Sequence, residues 1–552
     1  MKKNALTNAV IAGIAGVAGI ASVANAVNLN PDGLGQVLIY PYYTVNGGNS
    51  TLISIVNTTE FGKAVKVRFV EGYNSREVLD FNLYLSPYDV WTGAVFQLSD
   101  TGPANLTTND NSCTAPPIKT NGSLPVTGTQ RYVAFRNYQY VNGGGVLNND
   151  AGPNGLDRTR EGHLEVIEMG IVVNSDPANP PAKNSLNAIT HQSNGIPLNC
   201  AKIVGAWTAG AADPYWLSGN PYSQPEGEID VIPPTTANGG GGLFGAAGIV
   251  DFTNGTQLSY VPDAIDGFSV SVLHARPGST SPSLRQANYP TPFGAEAIVF
   301  DNGALQTTQY TSTNAIDAVS AIYMHDAIFN EYAVSSALAS EWVVTFPTKR
   351  YYVDRALVAL PVDPFQYIFP LSPEGQGKAE VDVTIDYYDR EERSTETAIC
   401  VDENGNPIFN DDCIDFSPTL PGQESFGPQL LWEAQVITFE QPTAPGGSSA
   451  ILGSRLAQNI DLEDGFNEGW VRLGFYADYL PFAGSAIEDH ISRPDINGQS
   501  YVGMPVTGFW ATNTATTSVL ANFGGLWKHR GSRCLVPSGA VAASACPSGR
   551  AP

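Results

Sequence analysis

Short apolar runs broken by Gly, Pro, Asn and Thr set the pattern of this chain. Val37-Leu38-Ile39-Tyr40 and Leu52-Ile53-Ser54-Ile55-Val56 are two such runs, separated by Asn46-Gly47-Gly48-Asn49, a hairpin-type break. Val65, Val67 and Phe69 then alternate with Lys66 and Arg68, which predicts a strand with one buried and one solvated face. Leu79, Phe81, Leu83 and Leu85 alternate in the same way with Asp80, Asn82 and Tyr84. Together with Leu85-Ser86-Pro87 ahead of the next strand, this predicts an immunoglobulin-like sandwich over residues 27–110.

Residues 111–128 read as a linker, because Pro116, Pro117, Gly122 and Pro125 interrupt any period. Strands resume at Tyr132-Val133-Ala134-Phe135. A loop over 142–157 and proline breaks at 177–181 and 233–234 make 111–346 an irregular β-rich middle region. Within it, residues 314–337 are dense in alanine and free of Gly and Pro. Ile316, Val319, Ile322 and Tyr323 fall near helical spacing there, which predicts a short helical insertion. Trp342-Val343-Val344-Thr345-Phe346 returns to strand. Val381, Val383 and Ile385, and later Val471, Leu473 and Phe475, alternate with polar or outward residues. Residues 347–552 therefore read as a C-terminal β-sandwich. The fold class is mainly β: a multi-domain antiparallel β-sandwich protein with one helical insertion.

The first 26 residues change the picture from fold to destination. Lys2 and Lys3 precede a small apolar run, and Ala24-Asn25-Ala26 supplies an A-x-A cleavage signal. The run is too short and too weakly apolar to anchor in a bilayer. A signal peptide over 1–26 implies export to the periplasm, the outer surface or the medium. No membrane span is expected in the mature chain. The net charge of −25 over 552 residues disfavours nucleic acid, which needs clustered Lys and Arg, and anionic lipid surfaces.

Six cysteines fit an oxidising compartment. Sequence does not choose among their pairings. Sequential closure, Cys113 with Cys200, Cys400 with Cys413 and Cys534 with Cys546, is preferred because the last two pairs bracket short turn-rich segments. Zinc is disfavoured: no C-x-x-C occurs.

Four stretches taken together carry a resemblance: residues 28–59 (NLNPDGLGQVLIYPYYTVNGGNSTLISIVNTT), 158–170 (RTREGHLEVIEMG), 341–354 (EWVVTFPTKRYYVD) and 505–512 (PVTGFWAT). The chain resembles a family of uncharacterised exported β-rich proteins of Gram-negative bacteria. The resemblance implies export and a shared architecture, and it brings no activity, cofactor or catalytic residue.

Candidate chemistry is sparse. Gly240-Gly241-Gly242-Leu243-Phe244-Gly245 matches G-x-G-x-x-G, but Pro233-Pro234-Thr235-Thr236-Ala237-Asn238 ahead of it is no strand, so a flexible loop is the better reading. No G-x-S-x-G and no H-E-x-x-H occurs. His325-Asp326 and Asp489-His490 are adjacent pairs whose side chains diverge. In His163-Leu164-Glu165-Val166-Ile167-Glu168-Met169, strict alternation sets Glu168 on the face of Leu164 and Val166. A carboxylate there needs a partner, Arg158 or Arg160, or a bulge near Ile167 to turn it outward.

Asp402, Asn404, Asn406, Asp411 and Asp412, with Asn410, crowd the Cys400–Cys413 segment. Calcium is the small ligand this oxygen-rich turn would take, although Pro407 and Cys413 stand where an EF-hand needs glycine and glutamate; no other cofactor is expected. Tyr40, Tyr42, Tyr43, Phe509 and Trp510 offer sugar-stacking or partner-binding platforms against the plainer role of core packing. With no assembled catalytic motif, the sequence favours a non-enzymatic structural or interaction protein at or beyond the cell surface, its protein or glycan partner unspecified. A secreted carbohydrate-active enzyme or carbohydrate-binding protein is the competing reading.

Overall fold

The computed structural model describes residues 26–546 except 122–123, 126–130, 142–149, 176–182, 218–226, 292, 302, 371–377, 395–428, 441–447, 476–489 and 515–521. Its chain forms a mainly antiparallel β architecture of four principal sheets. The first sheet has eight strands. Val37–Thr44, Glu161–Val172, Gly62–Glu71 and Glu77–Leu85 lie side by side at its centre. The second sheet has seven strands and runs from Thr256–Tyr260 through Leu243–Asp251, Asn49–Asn57 and Val90–Gln97.

These two sheets face each other across an apolar core of Leu38, Tyr40, Val67, Phe69 and Leu164 from the first and Ile53, Ile55, Trp91 and Ile249 from the second. The sandwich expected over residues 27–110 is therefore completed from outside that range. Its first sheet needs Glu161–Val172 between Val37–Thr44 and Gly62–Glu71. Its second sheet needs Leu243–Asp251 beside Asn49–Asn57. The segment expected as a linker adds the edge strand Cys113–Ala115 to the first sheet.

The third sheet has five strands, with Leu338–Thr345 between Ala434–Phe439 and Thr507–Thr514. The fourth has four strands: Thr384–Asp389, Glu468–Gly474, Ala327–Ala333 and Arg530–Ser532. Leu338–Thr345 is apolar on both faces. Trp342 and Val344 pack with Ile385, Val471 and Leu473 of the fourth sheet, whereas Val343 joins the core of the first two sheets. A strand buried on both sides reads as a continuous apolar run, as Trp342-Val343-Val344 does. The C-terminal sheets thus recruit strands that begin at residue 327, ahead of the boundary expected at 347.

The helical insertion is shorter than its composition predicts. Ala315–Tyr323 is helical and wholly buried, and Met324 then turns extended at ψ 128°. Downstream, Ile328 and Tyr332 are buried while Phe329 and Glu331 are not. Ala327–Ala333 is nonetheless a strand, paired antiparallel with Glu468–Gly474, so tertiary pairing overrides helix propensity there.

Candidate functional site

Charged residues on apolar strands give this molecule its most unusual chemistry. Lys66 and Arg68, expected on a solvated face, are 0 % and 3 % exposed. Lys66 Nζ stands 2.6 Å from Asp80 Oδ2. Arg68 bonds Glu77 at 2.7 Å and Glu165 at 3.3 Å. The carbonyls of Arg276, Ser279 and Thr280 close over these cations and accept further protons from them. Periodicity located the face correctly, but the covering segment comes from some 200 residues away and leaves no local trace.

Glu168 is likewise buried, and a register shift falls between it and Gly170. Its partner is Lys63, at 2.6 Å, rather than Arg158 or Arg160. The glycine-rich loop completes the enclosure: Gly241 N donates to Glu168 Oε2 at 2.8 Å and Gly239 O accepts from Lys63 Nζ at 2.7 Å. A Cβ on Gly240 would lie 1.8 Å from Pro234 O, so close backbone approach requires glycine there. The loop leads into the strand Leu243–Asp251 and seals an ion pair.

Arg158 is instead gripped by two carboxylates, Glu71 at 2.7 and 2.9 Å and Asp150 at 2.7 Å through both terminal nitrogens. Arg160 bonds Asn46 and the carbonyls of Ser99 and Gly102. Burial pushes the carboxyls of Glu161, Glu165, Glu168 and Glu341 up from their ordinary range, and fixed donors oppose the shift. Glu161 receives Tyr42 Oη at 2.7 Å and Arg455 N at 2.8 Å. Glu341 receives the backbone of Ile451 and Leu452 at 2.7 and 3.0 Å.

Across the seam between the first and third sheets, Arg76 reaches Asp354 at 2.6 Å. Ser75, held at φ 46° in a region that non-glycine residues rarely adopt, donates its hydroxyl to Glu433. Burial raises Glu433 to about 8 and lowers nearby Lys349 to about 8. Lys349 Nζ donates to Trp432 O at 3.1 Å and lies over the rings of Phe346 and Phe365.

Among the described histidines, His191 stands beside both a hydroxyl and a carboxylate, its Nδ1 3.0 Å from Ser86 Oγ and 3.5 Å from Asp89 Oδ2, but both partners share that one nitrogen, whereas a serine relay needs them on opposite ring nitrogens. His163 and His274 are buried and pushed down to about 3 by desolvation. His274 bridges Tyr84 Oη at 2.9 Å and Gly227 O at 2.6 Å, inside a box that includes Trp207 and Trp216. His490 bonds the carbonyls of Pro364 and Asp382.

His325 and His529 share a small solvent cleft with about 70 Å³ of room. Asp263, Tyr323, Thr507, Lys528 and Arg533 supply its other polar walls. Asp263 pairs with Lys528 and accepts from Thr507 Oγ1 at 2.6 Å. These residues come from five separate stretches, so no motif could have announced the cleft.

Tyr40, Tyr42, Tyr43, Phe509 and Trp510 are all buried core residues. The aromatic row that faces outward is on the fourth sheet, where half-buried Tyr388 and Trp470 stack at 4.4 Å with Phe329 beyond them at 6.3 Å. Arg472 pairs with Asp386 at 3.0 Å on the same face.

Cys113–Cys200 and Cys534–Cys546 are disulfide-bonded. Cys400, Cys413 and the calcium candidates Asp402, Asn404, Asn406, Asp411 and Asp412 lie outside the described residues. Among the described residues no group of three His, Cys, Asp or Glu converges as a metal site, and no helix is long and apolar enough to cross a membrane. Comparison with protein-family models, curated proteins and solved structures finds no match to this chain.

Proposed function

We propose that this chain is an exported, non-enzymatic structural or interaction protein acting at or beyond the surface of a Gram-negative cell. The observation that carries the reading is how its reactive groups are spent. Glu71, Glu161, Glu168 and Glu341 are held by fixed donors, and His163 and His274 are held neutral by burial. A general acid or base needs a group free to exchange its proton with a substrate. These groups lock sheets together instead. The two disulfides and the A-x-A leader support export. Cell fractionation with N-terminal sequencing of the recovered protein tests the reading. Recovery outside the cytoplasm starting at Val27 is expected, and a cytoplasmic protein with residues 1–26 intact overturns it.

A second reading, carbohydrate binding, draws on the outward row of Tyr388, Trp470 and Phe329 beside the Arg472–Asp386 pair. Aromatic faces with nearby hydrogen-bonding groups suit sugar rings. A glycan array run with wild type and Trp470→Ala separates the two readings, because a hit lost in the variant favours carbohydrate binding.

A further inference from the structure

Two of the residues that line the cleft at the seam are cationic, Lys528 and Arg533, and one is a carboxylate, Asp263; Asp301 and Asp326 act on Arg533 from beyond that lining. Asp263 is already engaged by Lys528 and Thr507. Arg533 spends two donors on the end of the buried helix, to Met324 O at 2.5 Å and Ile322 O at 2.9 Å. It makes no ion pair among the described residues. A guanidinium has five N–H donors in a fixed plane, so three remain after those two contacts.

The histidine tautomers add direction. His325 Nδ1 is 2.8 Å from Tyr323 O. A carbonyl only accepts, so Nδ1 carries the proton, and burial keeps the ring neutral. Nε2 is then a lone-pair acceptor. His529 has the opposite arrangement: Nε2 donates to Val343 O at 2.9 Å, and Nδ1 accepts from Asn330 Nδ2 at 3.1 Å. The cleft thus combines two cationic donors with one ring acceptor, in a space of about 70 Å³, room for a few waters or one small polyatomic ion.

We propose that this cleft binds a small oxyanion that carries an acidic O–H, the class of inorganic hydrogen phosphate, between Arg533 and Lys528 with its hydroxyl on His325 Nε2. Guanidinium and ammonium suit the charged oxygens. A protonated oxygen is the feature that matches the acceptor. Sulfate, with the same shape and no O–H at neutral pH, is the discriminating comparison. The inference is independent of whether the protein binds glycans or other partners.

The test measures the melting temperature of the mature protein at pH 7 and constant ionic strength, with inorganic phosphate, sulfate or chloride at rising millimolar concentration. Phosphate is expected to raise it by about 2 °C or more, the shift growing with the logarithm of concentration, because a ligand specific to the native state stabilises by mass action. Sulfate should do less, and chloride nothing. Arg533→Met should abolish the phosphate response, and His325→Phe should erase the preference over sulfate. If Arg533→Met fails to fold after losing the helix-end contacts, Lys528→Met, whose side chain is largely exposed, takes its place and should also remove the response. Equal responses to phosphate and sulfate in wild type, a response linear in salt concentration rather than logarithmic, or one that survives Lys528→Met would each overturn the proposal.

Discussion

Lys63 Nζ sits 2.6 Å from Glu168 Oε1 with both side chains wholly excluded from solvent, joining the neighbouring strands Gly62–Glu71 and Glu161–Val172. Desolvating two ions is costly, and their attraction compensates only when the other donors and acceptors are also met. Gly239 O and Gly241 N meet them here. Removing one partner strands the other charge in the interior. Lys63→Met should therefore destabilise the protein by about 3–5 kcal/mol, whereas Lys63→Met with Glu168→Leu should recover most of that loss. Urea unfolding of the two variants beside wild type checks the expectation. A double variant no better than the single would mean that the pair's packing matters more than its charge.

The Glu433 and Lys349 pair makes stability depend on pH in an uncommon direction. Glu433 is raised to about 8 in the fold, so between its unfolded value and 8 the native state binds more protons than the unfolded chain. Stability contributed by this group is therefore present at low pH and is lost as pH rises through that window. Lys349 is lowered to about 8, so above 8 the native state binds fewer protons and stability rises again toward the unfolded lysine value. Melting temperatures of wild type and Glu433→Gln at pH 5–8 isolate the acid. The variant should lose less stability than wild type as pH rises across that range, and parallel profiles would remove Glu433 as the cause.

Much of the fold was legible because strand alternation survives in the sequence. Val65, Val67 and Phe69 face the core as their spacing predicts, and Val471 and Leu473 do the same in the fourth sheet. The partners of those strands were not legible. Glu161–Val172 lies between two strands that begin at residues 37 and 62, and nothing local encodes such pairing. The buried ions were hidden for the same reason: Lys66 and Arg68 look solvent-facing until residues 276–280 close over them. Glu168 was the exception. A carboxylate on an apolar face announced that a partner was required, although that partner proved to be Lys63.

Trp510 and Trp470 illustrate how little an aromatic's identity says about its role. Trp510 is 8 % exposed, donates Nε1 to Ser340 Oγ at 3.2 Å and belongs to the core between the third and fourth sheets. Trp510→Ala should cost about 3–5 kcal/mol through the cavity it leaves. Trp470 lies on the outer face of the fourth sheet against Tyr388. Its replacement by alanine should cost at most about 1.5 kcal/mol, roughly one aromatic pair. Denaturant midpoints of both variants test this ordering.

The two described disulfides close loops of very different length, and that difference predicts their relative worth. Cys113 and Cys200 are 87 residues apart in sequence, and Cys534 and Cys546 are 12 apart. On the chain-entropy model the stabilisation grows with the logarithm of loop length, giving about 4–5 kcal/mol for the first bond and about 3 for the second. The first also ties the edge strand Cys113–Ala115 to the helix Cys200–Ala206 beside the core that holds Trp216 and Tyr84, so losing it frees a large excursion of chain. The second holds a peripheral cluster of Val502, Val536 and Ala542. Replacing Cys113 and Cys200 together with alanine should lower the unfolding midpoint more than replacing Cys534 and Cys546. Non-reducing peptide mapping of wild type should recover both linkages. A larger loss from the C-terminal pair would show that strain or residual structure in the unfolded chain, rather than loop length, sets their contributions.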